Sequence, residues 1–145
     1  MSTTNLQDNL NWLLIRSSVI VKQRLMKLSE EYNLTLMQAL TICLLEPDQT
    51  VPMSTISDLL ACDPSNVTGI VERLSVGSYV DRRESSTDRR VKTIHLTSAG
   101  AALRNKLLPR ITENDAANLG SLSPDEIAML KQLLRKTLPE SKAKA

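Results

Sequence analysis

The sequence predicts a mainly α-helical chain that carries one small β-hairpin. Apolar residues recur every three or four positions through most of the chain, which is the spacing of helices that bury one face. Between about residues 79 and 96 the pattern changes to alternation with a period of two, with Ile94 and Leu96 as apolar positions, and this is typical of strands. Shortly before this stretch, the segment CDPSN separates two short helical patterns. These features predict helix, turn, helix and hairpin in that order.

Two helices are predicted in the N-terminal third. Residues 5 to 31 form the first, because leucine and valine recur at helical spacing there without an interrupting proline or glycine. Its apolar stripe is widest at residues 12 to 15, and it is wider than one small subunit needs, so this face is expected to meet a partner. The second helix follows Thr35, which forms a capping box with Gln38. It ends before Pro47, because a residue that precedes proline avoids helical angles.

The middle of the chain predicts two short helices joined by a tight turn. Ser54 is the expected cap of the first, which runs to about Ala61. Asp63 is the expected cap of the second, and Pro64 fits its first position, where a missing N–H costs nothing. Gly77 is a natural stop for this helix. Two short helices in this arrangement form the helix-turn-helix pattern.

A hairpin follows directly. Residues 79 to 84 and 89 to 96 predict its two strands, and the residues SSTD between them predict its loop. A hairpin immediately after a helix-turn-helix is a wing. The predicted fold is therefore a winged helix-turn-helix, mainly α with a small β-hairpin wing.

Two further helices complete the chain. Thr97 is expected to cap one of them, over about residues 98 to 118, with Pro109 bending or breaking it. Ser123 and Glu126 form a second capping box, which marks the start of the last helix.

Composition and charge narrow the classes of function. One Trp, two Tyr and no Phe argue against folds that stack bases on aromatic rings. The formal net charge is only +2, so a nucleic-acid surface would have to be local. The two cysteines show no CxxC spacing, and the sequence has neither a signal-peptide pattern nor an apolar stretch of 18 residues. A cytoplasmic protein with no membrane partner is expected.

The sequence lacks the common catalytic motifs. Its one histidine, His95, lies on a predicted strand, and no HExxH, phosphate-binding loop or G-x-S-x-G occurs. Asp125 and Glu126 resemble a carboxylate pair, but helix capping explains both. We expect neither an enzyme nor a bound cofactor or metal.

The outward face of the fourth predicted helix carries hydrogen-bonding groups. Apolar residues at helical spacing predict its buried face, and the residues left on the other side are Ser65, Asn66, Thr68, Gly69 and Arg73. Ser, Asn, Thr and Arg suit base edges and phosphates, and here they crowd a helix N-terminus, where backbone N–H groups attract phosphate. Gly69 costs roughly 1 kcal/mol relative to alanine, which a groove wall close to the backbone would justify. A merely solvated polar face is the alternative.

Arginine pairs stand at both ends of the segment DRRESSTDRR, residues 81 to 90. The predicted hairpin places Asp88, Arg89 and Arg90 at its tip, and an Arg side chain suits a narrow minor groove. Asp88 is expected to hold an arginine extended. Arg82 and Arg83 lie at the strand base, where they can pair with Asp81 or with the wing, or contact phosphate. The alternative is a solvated hairpin with weak surface ion pairs, but the helix-turn-helix upstream favours DNA.

The segment YVDRRESSTDRRVKTIHLTSAG resembles the signature of the MarR family of bacterial winged-helix regulators: a D-R-R, a wing loop, D-x-R and L-T-x-x-G. The segments NVTGIVERL and LTLMQALTICLL resemble the recognition helix and second helix of that family. The resemblance covers roughly residues 5 to 140. It implies a transcriptional regulator, expected to be a repressor, that binds a palindromic double-stranded DNA operator as a homodimer.

The resemblance also implies a division of the subunit. Residues 5 to 34 and 98 to 140 would form dimerisation helices that interlock with a second copy, and residues 35 to 97 would form the DNA-binding region. Arg90 matches the wing-tip arginine of the family, and Asp88 matches its acidic support. The polar residues of the fourth helix fall at groove-facing positions. One departure is SVGSY after that helix, where a charged turn is usual, and this can remove a phosphate contact.

Many members of the family release DNA when a small phenolic or lipophilic anion binds near the dimer helices. The resemblance makes Trp12, Arg16 and Tyr32 candidates for such a pocket, with Arg16 pairing the anionic group. The alternative is that Trp12 belongs to the dimer core and Arg16 is solvated.

Two further alternatives stay open. One branch of the family senses oxidants through a cysteine in the first helix, but this chain has no cysteine before Cys43. Cys62, beside the fourth helix, is the remaining candidate for a redox role. The other alternative is a winged helix that binds protein, although its recognition face would usually be apolar or acidic.

Overall fold

A computed structural model gives the fold of residues 5–139, apart from the side chains of residues 114–118. After a short 3-10 turn, the elements in chain order are α1 (Leu10–Glu30), α2 (Leu36–Leu44), β1 (Val51–Pro52), α3 (Met53–Leu60), α4 (Pro64–Val76), β2 (Val80–Glu84), β3 (Lys92–Leu96), α5 (Ser98–Asn118) and α6 (Pro124–Thr137). The predicted class, mainly helical with a small β wing behind a helix-turn-helix, is confirmed. Residue 140, the predicted end of the dimerisation helices, lies outside the described residues.

The first helix starts later than predicted. The Asn9 side chain accepts hydrogen bonds from the backbone N–H groups of Asn11 and Trp12, so α1 begins at Leu10 and not at residue 5. The preceding residues form the 3-10 turn, in which Asn5 accepts from the N–H of Gln7. Both asparagines satisfy backbone donors locally, which ends one helical segment and starts another.

Both predicted capping boxes are confirmed. The Thr35 hydroxyl accepts from the Gln38 N–H at 3.3 Å, and the Gln38 side chain accepts from the Thr35 N–H at 2.9 Å. Ser123 and Glu126 exchange the same two bonds at the start of α6. These short-range pairs place the starts of α2 and α6 where the sequence predicts them.

The prediction that Ser54 caps α3 is wrong. The helix begins at Met53, and its cap position is Pro52, which has no side-chain capping bond. Residues Val51–Pro52 instead form the short strand β1, paired with Ile94 and Thr93 of β3. The start of α3 is thus held by strand pairing, and a strand this short leaves no alternating pattern in the sequence.

The ends of α4 lie where predicted, but the mechanisms differ. Asp63 occupies the cap position of α4 without a side-chain capping bond, and Pro64 is the first helical residue. Gly77 follows the last residue with an ordinary helical φ of −72°, and the left-handed residue is Ser78, with φ of 61°. Ser78 therefore turns the chain from α4 into β2. At the next helix, α5 continues past Pro109 without a break.

The three strands form one antiparallel sheet in the order β1-β3-β2. Val80 is opposite Leu96, and Arg82 is opposite Ile94. The second wing strand is shorter than predicted: it begins at Lys92, because residues 89 and 90 belong to a turn. Val80, Ile94 and Leu96 face the core, so the base of the wing is part of the folded centre.

The core lies within the winged helix-turn-helix. Its fully buried side chains come from α2, α3, α4, the sheet and the first half of α5, and include Ile42, Leu45, Ile56, Val71, Leu74, Val80, Ile94 and Leu107. By contrast, α6 has no buried residue, and α1 buries only Leu28 and Ser29. Leu10 and Leu138, near the two ends of the described chain, are 68% and 66% exposed. Burial therefore divides the subunit into a packed centre and two helices with uncovered apolar surface.

The L-T-x-x-G segment locks the wing to α5. The Thr97 hydroxyl donates to the Ser78 carbonyl at 2.6 Å and accepts from the Gly100 N–H at 3.0 Å. Gly100 packs so tightly that a Cβ at this position would lie 1.9 Å from the Tyr79 carbonyl oxygen. The end of α4, the start of β2 and the start of α5 therefore meet at this junction.

Replacement of Gly100 by alanine should destabilise the fold. The added Cβ would collide with a backbone atom, and overpacking of this kind costs roughly 1 to 3 kcal/mol or more in the free energy of unfolding. Gly69→Ala is the matched control, since that helical glycine has no neighbour within 4 Å of a built Cβ. The control should gain about 0.5 to 1 kcal/mol. Urea unfolding measures both, and a Gly100→Ala protein as stable as the wild type would contradict the role of this junction.

Candidate nucleic-acid interface

Helix α4, the predicted recognition helix, presents the predicted residues on its outer side. Val67, Val71 and Leu74 are buried, as the spacing predicts. On the opposite side, the exposed residues are Ser65, Asn66, Thr68 and Arg73, and Gly69 is half-buried. The buried face is packed on the core, so the polar face is held outward by the rest of the domain.

Four of the five predicted helix residues share one groove. It has a volume of about 370 Å³ and runs between α4 and the N-terminus of α2. The residues of α4 that line it include Ser65, Asn66, Gly69 and Arg73. Thr35 and Gln38, which the sequence analysis treated only as a capping box, line the other wall. The start of α2 is therefore part of the candidate interface.

Thr68 lies apart from this groove. Its hydroxyl donates to the Pro64 carbonyl one turn earlier, at 3.1 Å, and its own carbonyl accepts from Arg82 at 3.3 Å. Both polar groups of Thr68 are engaged within the protein. The residue faces the wing, whereas its predicted companions face α2.

Gly69 has open space on its outer side. A Cβ built there would meet nothing within 4 Å. Packing in the described part of the chain therefore does not require glycine at this position, although glycine inside a helix is unfavourable. Close approach of a DNA backbone to α4 would account for glycine at position 69.

The wing tip is a closed turn. The Asp88 carboxylate accepts from the Arg90 backbone N–H at 2.9 Å, and the Asp88 carbonyl accepts from the Val91 N–H at 3.0 Å. We expected Asp88 to hold an arginine side chain extended. Instead, Asp88 supports Arg90 through a hydrogen bond to its main chain. Arg89 and Arg90 are exposed, and their guanidinium groups have no partner among the described residues.

The two arginines at the base of the wing have different surroundings. Arg82 lies on the sheet face that packs on α4, where it contacts the Thr68 carbonyl and the Glu72 carboxylate, the latter at 3.7 Å. Arg83 points to the other face and is exposed. Asp81 pairs with neither arginine; its carboxylate lies 3.6 Å from His95 Nε2 on β3. Glu72, the partner of Arg82, was not predicted, because the spacing of apolar residues carries no signal for a polar contact between a helix and a strand.

The candidate pocket residues are not brought together within one subunit. Trp12 and Arg16 are on α1, and Tyr32 follows its end, so about 30 Å of helix separates Trp12 from Tyr32. Tyr32 contacts Arg110, whose side chain also pairs with Glu31 at 2.5 Å. The Arg110 hydrogen bond lowers the pKa of Glu31 and raises the pKa of Arg110. Tyr32 therefore belongs to a link between α1 and α5.

A larger groove, of about 740 Å³, lies between α1 and the start of α2. Lys22 and Met26 of α1 line it, together with Thr35 and with Arg73 of α4. Arg73 therefore borders both this groove and the one along α4. Two cationic side chains, Lys22 and Arg73, and one carboxylate, Glu30, line the same space.

The cysteines have the properties of structural thiols. Partial burial raises the pKa of Cys62, and the neighbouring Asp63 charge raises it further. Burial also raises the pKa of Cys43, against an opposing effect of Arg104. Because the thiolate is the reactive form, a raised pKa reduces reactivity at neutral pH. This disfavours the cysteine-based alternative.

The described residues contain no group of three or more His, Cys, Asp or Glu side chains placed to hold a metal ion. Among the same residues, none of the helices combines the length and the apolar character needed to cross a membrane.

Comparison with known proteins identifies the family of this chain. The model of the MarR family matches residues 34–92. The transcriptional repressor NicR of Pseudomonas putida is 31% identical over 106 residues, which cover 73% of this chain and 67% of NicR. The chain belongs to the MarR family. It is a transcriptional regulator and not an enzyme, as the sequence predicts.

Solved structures of MarR-type regulators agree with the fold. BpsR of Bordetella bronchiseptica, whose DNA binding is regulated by 6-hydroxynicotinic acid, superposes with a TM-score of 0.83 at 24% identity and covers 94% of this chain and 97% of its own. A mutant of E. coli MarR complexed with operator DNA has a TM-score of 0.79 at 23% identity and covers 96% of this chain and 100% of its own. At these identities the likeness establishes the winged-helix fold.

Proposed function

We propose that this MarR-family protein is a sequence-specific DNA-binding repressor that acts as a homodimer. The observation that carries the proposal is a set of outward polar side chains with no partner inside the described protein. Asn66 and Arg73 on α4, and Arg89 and Arg90 on the wing, make no side-chain hydrogen bond or ion pair with other described residues. Hydrogen-bonding groups left free on a packed helix and on a projecting turn suit base edges and phosphates.

Each element has a distinct role in this proposal. The N-terminal part of α4 enters the major groove, where Asn66 reads a base edge and Ser65 and Arg73 contact base or backbone. Arg90 on the wing enters the flanking minor groove. The hydrogen bond from the Arg90 backbone N–H to the Asp88 carboxylate fixes the turn from which its side chain projects. Repression is supported by the relative NicR, which is a repressor, and DNA binding by the related MarR mutant, which was solved with operator DNA.

A second copy of the chain is the proposed partner of the uncovered helices. An apolar groove of about 650 Å³ runs between α1 and α6, and the leucines that line it include Leu10, Leu13, Leu14, Leu130 and Leu134. Exposed apolar surface of this extent on a packed subunit is typical of an obligate interface. A twofold dimer places two recognition helices on two half-sites of a palindrome, about one helical turn apart.

Effector release is the second part of the proposal. The groove between α1 and α2 is lined by two cations, Lys22 and Arg73, against one carboxylate, Glu30, so an anionic aromatic ligand bound there would compete with DNA for Arg73. Regulation of the DNA binding of BpsR by 6-hydroxynicotinic acid supports such a ligand class. Trp12, Arg16 and Tyr32 remain candidates for a site built from both subunits, because one subunit keeps them apart.

Arg90→Ala tests the wing contact. The variant should bind the operator more weakly. The slope of the logarithm of its association constant against the logarithm of the salt concentration should be shallower by about one per subunit, because one positive charge near the DNA phosphates is lost. Fluorescence anisotropy at several salt concentrations measures the slope. Thr87→Ala, on the same exposed loop, is the control and should keep the wild-type slope. Equal slopes in Arg90→Ala and wild type would contradict the assignment, and a shallow slope in the wild type would favour a protein partner.

Gly69→Ala tests the approach of DNA to the helix backbone. The variant should be more stable than the wild type by about 0.5 to 1 kcal/mol, because the helix gains a better former with no steric clash. It should nevertheless bind operator DNA more weakly, since the new methyl group stands where the groove wall passes. Thermal unfolding and anisotropy titration measure the two effects. Gain of stability with unchanged DNA affinity would show that α4 does not meet DNA at this position.

A further inference from the structure

Arg82 connects the wing to the recognition helix. In β2 it stands opposite Ile94 and on the same sheet face as Val80, so its side chain lies over α4. One guanidinium nitrogen donates to the Thr68 carbonyl at 3.3 Å and lies 3.7 Å from the Glu72 carboxylate. A single side chain thus contacts two points, one turn apart, on the outer half of α4.

The contacts fall where α4 lacks other support. The buried side of the helix is anchored in the core by Val67, Val71 and Leu74. On the outer side, a Cβ built on Gly69, the residue directly after the carbonyl that Arg82 contacts, would meet nothing within 4 Å. The side chain of Arg82 therefore joins the outer side of α4 to the wing.

The chemistry of Arg82 differs from that of the other wing arginines. Its side chain is 36% exposed but lies against the Glu72 carboxylate, which offsets its charge. Arg83, Arg89 and Arg90 are exposed, with no side-chain partner among the described residues. A phosphate would reach these three more readily than it would reach an arginine already paired with a carboxylate.

We propose that Arg82 is a positioning residue that sets the angle between the recognition helix and the wing, and that it does not contact phosphate. The inference rests on the proposed DNA-binding function. Both contacts come from the terminal nitrogen Nη2 of Arg82, and a lysine side chain ends one atom earlier in a more compact head group. Lysine should therefore preserve the charge of this position without preserving the geometry.

The first readout is DNA binding by Arg82→Gln, Arg82→Lys and the neighbouring control Arg83→Gln. Both Arg82 variants should lose affinity for the operator about fivefold, the upper range for a partly exposed ion pair, while the salt slope stays within about 0.3 of the wild type. Glu72→Gln should lose affinity in the same direction. If Arg82→Lys keeps full affinity and Arg82→Gln lowers the slope by about one per subunit, Arg82 is a phosphate contact and the proposal is overturned.

The second readout needs no DNA. Spin labels at Val76→Cys and Thr87→Cys, with Cys43 and Cys62 replaced by serine, report the distance between the end of α4 and the wing. Labelled chain is diluted into excess unlabelled chain, so that a dimer carries at most one labelled subunit. Arg82→Gln should broaden the distance distribution, and Arg83→Gln should leave it narrow. An unchanged distribution in Arg82→Gln would overturn the positioning role.

The two readouts separate the inference from the function on which it rests. If the wild type shows no preference for any DNA sequence while Arg82→Gln still broadens the distance distribution, the repressor proposal fails and the positioning role stands. If the wild type binds its operator but Arg82→Gln changes neither the distribution nor the affinity, the repressor proposal stands and the inference fails.

Discussion

The position of the wing depends on the contact between Gly100 and the Tyr79 carbonyl. At this point the chain leaves the recognition helix through Ser78, enters β2 at Val80, and returns from β3 into α5 through Thr97. The Thr97 hydroxyl bonds to Ser78 and Gly100, and the absence of a side chain at Gly100 lets these three segments pack closely. Because α5 then leads away from the winged domain, the same junction relates the outer face of α4 and the wing to the C-terminal helices. Arg82 adds a polar contact on the outer side of the recognition helix, so the wing is held at its base and across its face.

Burial separates what the subunit completes alone from what it leaves open. The winged centre buries its apolar residues fully, whereas α1 and α6 expose theirs. Helix α5 spans the two regions: Arg104, nearly buried, pairs with Glu46 at the end of α2, and Arg110 pairs with Glu31 at the end of α1. Helix α5 is thus joined by one ion pair to the end of α1 and by another to the end of α2.

Local chemistry was predictable from the sequence, and contacts between distant segments were not. The capping boxes at Thr35 and Ser123 involve residues three apart, so their signal is complete in the sequence. The buried face of α4 followed from helical spacing. Strand β1 was missed, and Ser54 was wrongly chosen as a cap, because the start of α3 depends on pairing with β3, some forty residues later. The D-R-R at residues 81 to 83 placed two arginines together, yet strand geometry sends Arg82 to α4 and Arg83 to the opposite face. Arg82 is engaged because its face of the sheet packs on α4, whereas Arg83 on the other face has no side-chain partner among the described residues. The sequence does not show which face of the hairpin packs on the helix.

The most direct test of the central claim is selection of duplexes from a random DNA pool by the purified full-length protein, followed by sequencing. Two recognition helices related by a twofold axis should enrich a palindrome whose half-site centres lie about 10 base pairs apart. The flanks should be A·T-rich where the wing arginines meet a narrow minor groove. A pool that stays random after repeated rounds at low salt would contradict the claim that α4 and the wing form a sequence-reading surface, although the fold would be unaffected.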